Sequence, residues 1–334
     1  MRTSPIAAMI FSLAFSAAAG SQRPGMSPLT TSGERALTGH VMYPATDGWV
    51  EPFAGSAVWR GTTVQTGAAP TDGVKPLVIL SHGVWGNRYN QVWLAERLVE
   101  DGYIVLALDH PGTSTWDRNP VEGARLWEMP RDLTRFLDAF LNAPEWAAMV
   151  DPSQIYAVGH SLGGYTVLAA AGARFNSDRL SQFCQTKPYA IACTVCAQLG
   201  VRDDQAAALS ADLSDPRLSG VIALDPSGVP ALSPESLTSA KPIAVIRAGR
   251  TPEILNSTYE ADALAMMGEI EHVALEEAGH FDFLGVCTDQ GIHILRNDDP
   301  ETVIICVEGQ TPRADLHNVM ATEVIRLLGD FAKR

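Results

Sequence analysis

The sequence predicts an α/β fold built on a doubly wound, mostly parallel sheet. Short apolar runs alternate with longer amphipathic stretches along most of the chain, the rhythm of strands joined by crossover helices. Leu77-Val78-Ile79-Leu80 and Tyr103 to Leu108 are apolar at nearly every position, as strands covered on both faces must be. Between the β-forming Gln154-Ile155-Tyr156-Ala157-Val158 and the helix-forming Tyr165 to Ala171 lies Gly159-His160-Ser161-Leu162-Gly163-Gly164, a strand–turn–helix junction.

A length of 334 residues suits one large α/β domain or two small ones. Arg2, the apolar stretch Ile6 to Ala19 and Ala17-Ala18-Ala19 read as a secretory signal peptide over residues 1–19. It is too short to span a bilayer comfortably, so no stable membrane anchor is expected and the protein is placed outside the cytoplasm, secreted or periplasmic. Residues 20–37 are polar and read as a flexible arm, and residues 38–334 as the α/β domain.

Within that domain His40 to Pro44 and Gly55 to Trp59 read as antiparallel edge strands. Leu77–Leu80 and Tyr103–Leu108 read as buried strands, with Asn90 to Glu100 a helix between them. Arg125 to Leu141 carries Leu126, Met129, Leu133, Phe136, Leu137 and Phe140 at helical spacing. Residues 173–218 break the alternation, hold a small-residue helical piece at Asp203 to Leu213, and read as an insertion capping the site. Val221–Leu224, Ile243–Ile246 and Glu271–Glu276 resume the strands, and Asp315–Ala332 closes the chain as a helix.

The formal charge of −14 disfavours nucleic acid and anionic membrane surfaces, both of which attract basic patches. Five cysteines suit an oxidising compartment. Cys287 and Cys306 flank one loop and make a natural pair. Cys184 is left to pair with Cys193 or Cys196. Cys193-Thr194-Val195-Cys196 has a spacing used for zinc or redox chemistry, but no second ligand pair accompanies it, and no metal or other cofactor is expected.

The Gly159 to Gly163 pattern fits a nucleophile elbow, in which a tight turn holds the Ser161 hydroxyl clear of the sheet at a helix N-terminus. A serine hydroxyl needs a base, and the base an orienting acid. His280, in Ala278-Gly279-His280-Phe281-Asp282-Phe283 after the last strand, is the candidate base. His272, His293 and His317 also follow the serine but read as surface or packing residues. Asp225, at the end of Val221–Leu224, is the candidate acid, and Glu253 is the alternative. The backbone N–H groups of Leu162 and Val84 are the candidate oxyanion donors. His82 reads as a loop brace, and Asp109-His110-Pro111-Gly112 as a turn lining the cleft.

Ser81-His82-Gly83, Gly159 to Gly164, Ala223-Leu224-Asp225-Pro226 and Gly279 to Leu284 together resemble the α/β-hydrolase superfamily. More narrowly they resemble the dienelactone-hydrolase-like group and the platelet-activating-factor acetylhydrolases. The resemblance spans about residues 38–334 and implies an α/β-hydrolase fold and metal-free hydrolysis of carboxylic esters by a serine esterase. In the acetylhydrolases the acid follows the sixth strand, which supports Asp225. Dienelactone hydrolases proper use cysteine where Ser161 stands, so their lactone specificity is not implied. The expected activity is therefore an acyl-enzyme esterase acting on a small-molecule or polymeric ester. Trp85, Tyr89 and Trp116 keep open a lipase, phospholipase A2-like or polyester hydrolase. A non-catalytic binding scaffold is the third reading, and such scaffolds usually lack a triad member. Oligomeric state is not assigned.

Overall fold

The computed structural model describes residues 23–237, 241–250, 258–267 and 270–334. Residues 1–19, read as a signal peptide, lie outside these residues. The strands are β1 (Gly25–Thr30), β2 (Thr38–Tyr43), β3 (Trp49–Phe53), β4 (Thr62–Thr66), β5 (Lys75–Ser81), β6 (Ile104–Asp109), β7 (Val150–His160), β8 (Gly220–Leu224), β9 (Ile243–Ala248) and β10 (Glu271–Leu275). The helices of eight residues or more are α1 (Val92–Glu100), α2 (Glu128–Leu141), α3 (Leu162–Ala170), α4 (Ser177–Thr186), α5 (Ile191–Leu199), α6 (Thr258–Ala265), α7 (Gly291–Asp298) and α8 (Arg313–Phe331).

These strands form one sheet in the order β10-β9-β8-β7-β5-β6-β2-β1-β4-β3. The run from β10 to β6 is parallel, and β2 adds antiparallel to β6. Alternation along each strand divides the core into two layers. Leu77 and Ile79 of β5 and Ile104, Leu106 and Leu108 of β6 face one layer, with α2 and α3. Val78 and Leu80, Val105 and Ala107 face the other, with α1 and α8. Helix α3 is buried at every residue, which explains why its sequence is apolar all round.

Three expectations are corrected. Gly25–Thr30, within the expected flexible arm, pairs antiparallel with β2 along its whole length. Its polar residues alternate with Met26 and Leu29, which lie against the core. The edge strand expected at Gly55–Trp59 is instead the irregular connection between β3 and β4. There Ala54 takes φ 61° and Gly55 packs closely on Gly61. In the insertion, Asp203–Leu213 forms only a short turn, Asp203–Gln205, and one helical turn, Ala206–Leu209. Its main elements are α4 and α5, joined by the Cys184–Cys193 disulfide. Cys287 and Cys306 form the second disulfide. Cys196 is free and buried, burial pushing its thiol up to about 12, and Cys193 is bonded to Cys184 instead of to it.

The insertion docks on the segment that follows β8. Asn176 N donates to Ala231 O at 2.7 Å and Ser233 N to Arg174 O at 2.9 Å. From α6, the buried Glu260 accepts the Val229 N–H at 2.9 Å. Burial pushes this carboxyl up to about 8, so the folded protein holds a proton there that the unfolded chain releases near the ordinary value of 4.5.

Two measurements check this packing. Phe136 is fully buried in α2, and Gly39 of β2 leaves no room for a Cβ beside its ring. Phe136→Ala is expected to lower unfolding free energy by about 3–5 kcal/mol in urea titrations. Glu260 makes stability fall as pH rises from its unfolded value to its folded one. Urea midpoints should decline between about pH 5 and pH 8, by at most ~1.4 kcal/mol per pH unit, and this component should vanish in Glu260→Gln.

Candidate active site

Strand β7 ends at His160, and the chain turns into α3 through Ser161, whose backbone takes φ 56° and ψ −118°. Such a conformation costs a non-glycine residue on the order of 1–3 kcal/mol, so the surroundings must hold it. They do so from β8. Ser161 N donates to Leu224 O at 3.0 Å, and Ser161 O accepts from Ser227 N at 3.0 Å and Gly164 N at 2.8 Å. A Cβ at Gly163 would overlap Ser81 O, and one at Gly159 would overlap Gly163 O, which is why the turn needs both glycines.

Asp225 follows β8 directly and also has a positive φ, 37°. Its N–H donates to Ile246 O at 2.7 Å, which fixes its backbone on β9. Both carboxylate oxygens are engaged. Oδ1 accepts Ala248 N–H at 2.9 Å, and Oδ2 accepts His280 Nδ1–H at 2.6 Å. With Nδ1 as the donor, Nε2 of a neutral His280 carries the ring's lone pair. Ser161, Asp225 and His280 are 4%, 8% and 5% exposed, so all three are largely withdrawn from solvent. The Ser161 hydroxyl makes no hydrogen bond to His280 among the described residues.

His280 opens a short 3-10 turn, His280–Phe283, after β10. Asp282, Arg250 and Arg313, which carried no role in the sequence reading, hold this turn together with the packing histidine His317 and with His160. Asp282 Oδ2 accepts Gly279 N–H at 2.8 Å and Arg250 Nη2 at 2.8 Å. Asp282 Oδ1 accepts from Arg313 Nε at 3.2 Å. Arg313 is fully buried and also donates to Gly285 O at 2.8 Å and Ile305 O at 2.9 Å. His317 Nε2–H faces Asp282 O and Leu284 O, and its ring stacks on Trp93 at 3.9 Å. His160 Nε2–H donates to His280 O at 2.9 Å. Burial, and then the nearby His280, push the His160 imidazole well below its ordinary value, so it acts as a neutral donor. The signal for Asp282 was present in the motif, two residues after His280; nothing local marks Arg313.

The loop after β5 lies against the serine. A Cβ on Gly83 would stand 2.9 Å from Ser161 Cβ and 3.5 Å from its Oγ. Among the described residues neither Val84 N–H nor Leu162 N–H is committed to a protein acceptor. Trp85, the next residue, has φ 57° and donates its N–H to Thr113 O at 2.8 Å, locking this loop to the one after β6. Arg118 lies over the Trp85 ring at 5.3 Å. Arg88 lies over Tyr89 at 4.6 Å and Trp116 at 4.9 Å while paired with Asp109. Trp116 is 58% exposed, so this aromatic ledge faces solvent beside the loop that carries Val84.

The remaining candidates lie apart from this constellation. His272 sits within β10, and His293 is exposed on α7, inside the loop closed by Cys287 and Cys306. His82 is buried and braces its own loop, donating Nδ1–H to Gly83 O at 2.7 Å. Glu253 lies outside the described residues. Also among the described residues, no group of three or more His, Cys, Asp or Glu side chains is placed to hold a metal ion, and no helix is long and apolar enough to cross a membrane.

Comparison with known proteins agrees with this architecture. A family model described as the alpha/beta hydrolase fold matches residues 76–183, from β5 to α4. No curated protein matches the chain. Among solved structures, a ferulic acid esterase from Streptomyces cinnamoneus is similar at TM-score 0.61 and 21% identity, over 94% of this chain and 91% of that one. A dienelactone hydrolase-like promiscuous phosphotriesterase from metagenomic libraries is similar at TM-score 0.48 and 14% identity, over 92% and 99% of the two chains. The dienelactone hydrolase of Anabaena variabilis gives TM-score 0.46 and 14% identity, over 90% and 97%. The parallel sheet with its antiparallel extension, the turn at the end of β7 and the matched family model make this chain a protein of the α/β-hydrolase fold.

Proposed function

We propose that the protein is an exported serine hydrolase that cleaves carboxylic esters through an acyl-enzyme on Ser161. The observation that carries this reading is the 2.6 Å bond from His280 Nδ1 to Asp225 Oδ2, beside a serine held in a left-handed turn. That bond assigns the His280 tautomer whose Nε2 accepts a proton. Ser161 Oγ attacks the ester carbonyl as His280 Nε2 takes the hydroxyl proton. The carbonyl oxygen gains negative charge, and the Val84 and Leu162 N–H groups stabilise it, helped by the N-terminus of α3. His280 returns the proton to the leaving alcohol. A water molecule, deprotonated by the same nitrogen, then attacks the acyl-enzyme, and Ser161 is released with the free acid. Asp225 stays ionised and stabilises the imidazolium.

Two disulfides, and an N-terminus that reads as a signal peptide, support export. The esterase among the similar structures supports ester chemistry on this fold. The ledge of Trp85, Tyr89 and Trp116 supports an ester with an apolar or aromatic group, which includes the polymeric and lipid esters.

Labelling with a fluorophosphonate is expected to modify Ser161 in folded protein; absence of the adduct would refute the nucleophile. Ser161→Ala should lower turnover by on the order of 10⁶, and Asp225→Asn by about 10⁴ with the fold retained, as triad substitutions do elsewhere. Across p-nitrophenyl esters, Trp116→Ala should raise KM for aromatic and long acyl groups by about tenfold, equivalent to ~1.4 kcal/mol, and leave the acetate nearly unchanged. Equal effects on every ester would remove Trp116 from the substrate site.

A further inference from the structure

Behind the loop that carries Val84 lies a second serine–histidine–aspartate chain. Ser81 Oγ–H donates to His110 Nε2 at 2.9 Å, and His110 Nδ1–H donates to Asp132 Oδ2 at 3.1 Å. Ser81 is 1% exposed, and His110 and Asp132 are 0% exposed, so no substrate reaches them. Arg35 closes the chain with a two-pronged contact on Asp132, Nε to Oδ1 at 2.7 Å and Nη2 to Oδ2 at 2.8 Å. It also donates to Glu122 at 2.7 Å and to Pro111 O at 3.3 Å. Burial alone would raise the Asp132 carboxyl; the bonds from His110 and Arg35 outweigh it and hold the group below the usual range. A buried ion pair of this kind adds little net stability, which directs attention to what it orients.

The chain leads to the Gly83–Val84 peptide. Gly83 O has no proton to give, so His82 Nδ1 must be the donor in their 2.7 Å bond. His82 Nε2 must then accept, and it takes the His110 backbone N–H at 3.0 Å. Burial, and then His110, push the His82 imidazole down to about 3, which keeps it neutral for this double role. Gly83 O accepts a second bond from Gly86 N at 3.0 Å. A trans peptide is planar, with its C=O and N–H pointing in opposite directions. Anchoring Gly83 O therefore aims Val84 N–H. We propose that Ser81, His82, His110, Asp132 and Arg35 are positioning residues that aim the Val84 N–H at the substrate oxygen on Ser161. The proposal rests on the serine-esterase reading above for its catalytic consequence.

The test uses Asp132→Asn and, should that change prevent folding, the smaller Ser81→Ala. Both are expected to lower kcat by about ten- to hundredfold, a part of the ~10²–10³ that a whole oxyanion donor supplies. KM should stay within about twofold, since ground-state binding is untouched. The affinity of a boronic acid that forms a tetrahedral adduct on Ser161 should fall by the same factor as kcat. Hydrogen exchange of a peptide spanning residues 81–87 should rise by about tenfold, while that of 159–165 stays constant. Wild-type kcat in the folded variants, a matching rise in KM, or unchanged exchange at 81–87 would overturn the proposal. A wild-type protein that neither hydrolyses esters nor labels at Ser161 would sink the esterase reading instead, and the exchange of 81–87 would still decide whether this chain orders the loop.

Discussion

The backbone of Ser161 is bonded on both sides to the chain that leaves β8, through Leu224 O and Ser227 N. These two bonds do more than hold a strained turn. Asp225 lies between their partners, so the segment that stabilises the serine conformation is the one that presents the carboxylate. Moving either residue means breaking the register of β7 on β8. The parallel sheet thus fixes the separation of serine and aspartate through backbone hydrogen bonds, before any side chain is placed. The third residue arrives from β10, two strands further out, and needs its own supports.

Those supports are polar and almost wholly buried. His160 grips the His280 carbonyl, Asp282 gathers the turn around itself, and Arg313 neutralises Asp282 from α8. On the opposite side of Ser161, His82 plays the corresponding part for Gly83. Imidazoles kept neutral by burial serve as geometric parts, each with one donor and one acceptor nitrogen, where a charged ring would have two donors and no acceptor. Positive φ at Trp85, Ser161 and Asp225 marks the same region as the place where local backbone preference yields to arrangement.

Much of this was legible in sequence. The β5, β6, β7 and β8 strands announce themselves as apolar runs, α2 by its spacing of Met129, Leu133, Phe136 and Phe140, and the elbow by its glycines. Ser161, Asp225 and His280 could be named because each sits where a strand ends, and strand ends are visible. What was not legible depends on tertiary contacts. The polar Gly25–Thr30 gains its strand only by pairing with β2, and no local pattern carries that information. Helices α4 and α5 have short or weakly periodic apolar faces, and a disulfide and the segment after β8 organise them. Arg313 looks like any surface arginine until the fold buries it. Val84 and Leu162 could be named only by position, one in the loop after β5 and the other directly after Ser161, since the part proposed for them falls to their backbones and not to their side chains.

The Cys287–Cys306 disulfide bears on the His280 turn without touching it. Arg313 takes its carbonyl acceptors from Gly285 and Ile305, one close to each cysteine. The bond therefore ties together covalently the two stretches of chain that clasp the arginine. From there the linkage runs through Asp282 to the turn that begins at His280. A crosslink near the end of the chain in this way reaches, through one buried arginine and one aspartate, the turn that begins at His280, and reducing it would free one arm of the clasp around that arginine.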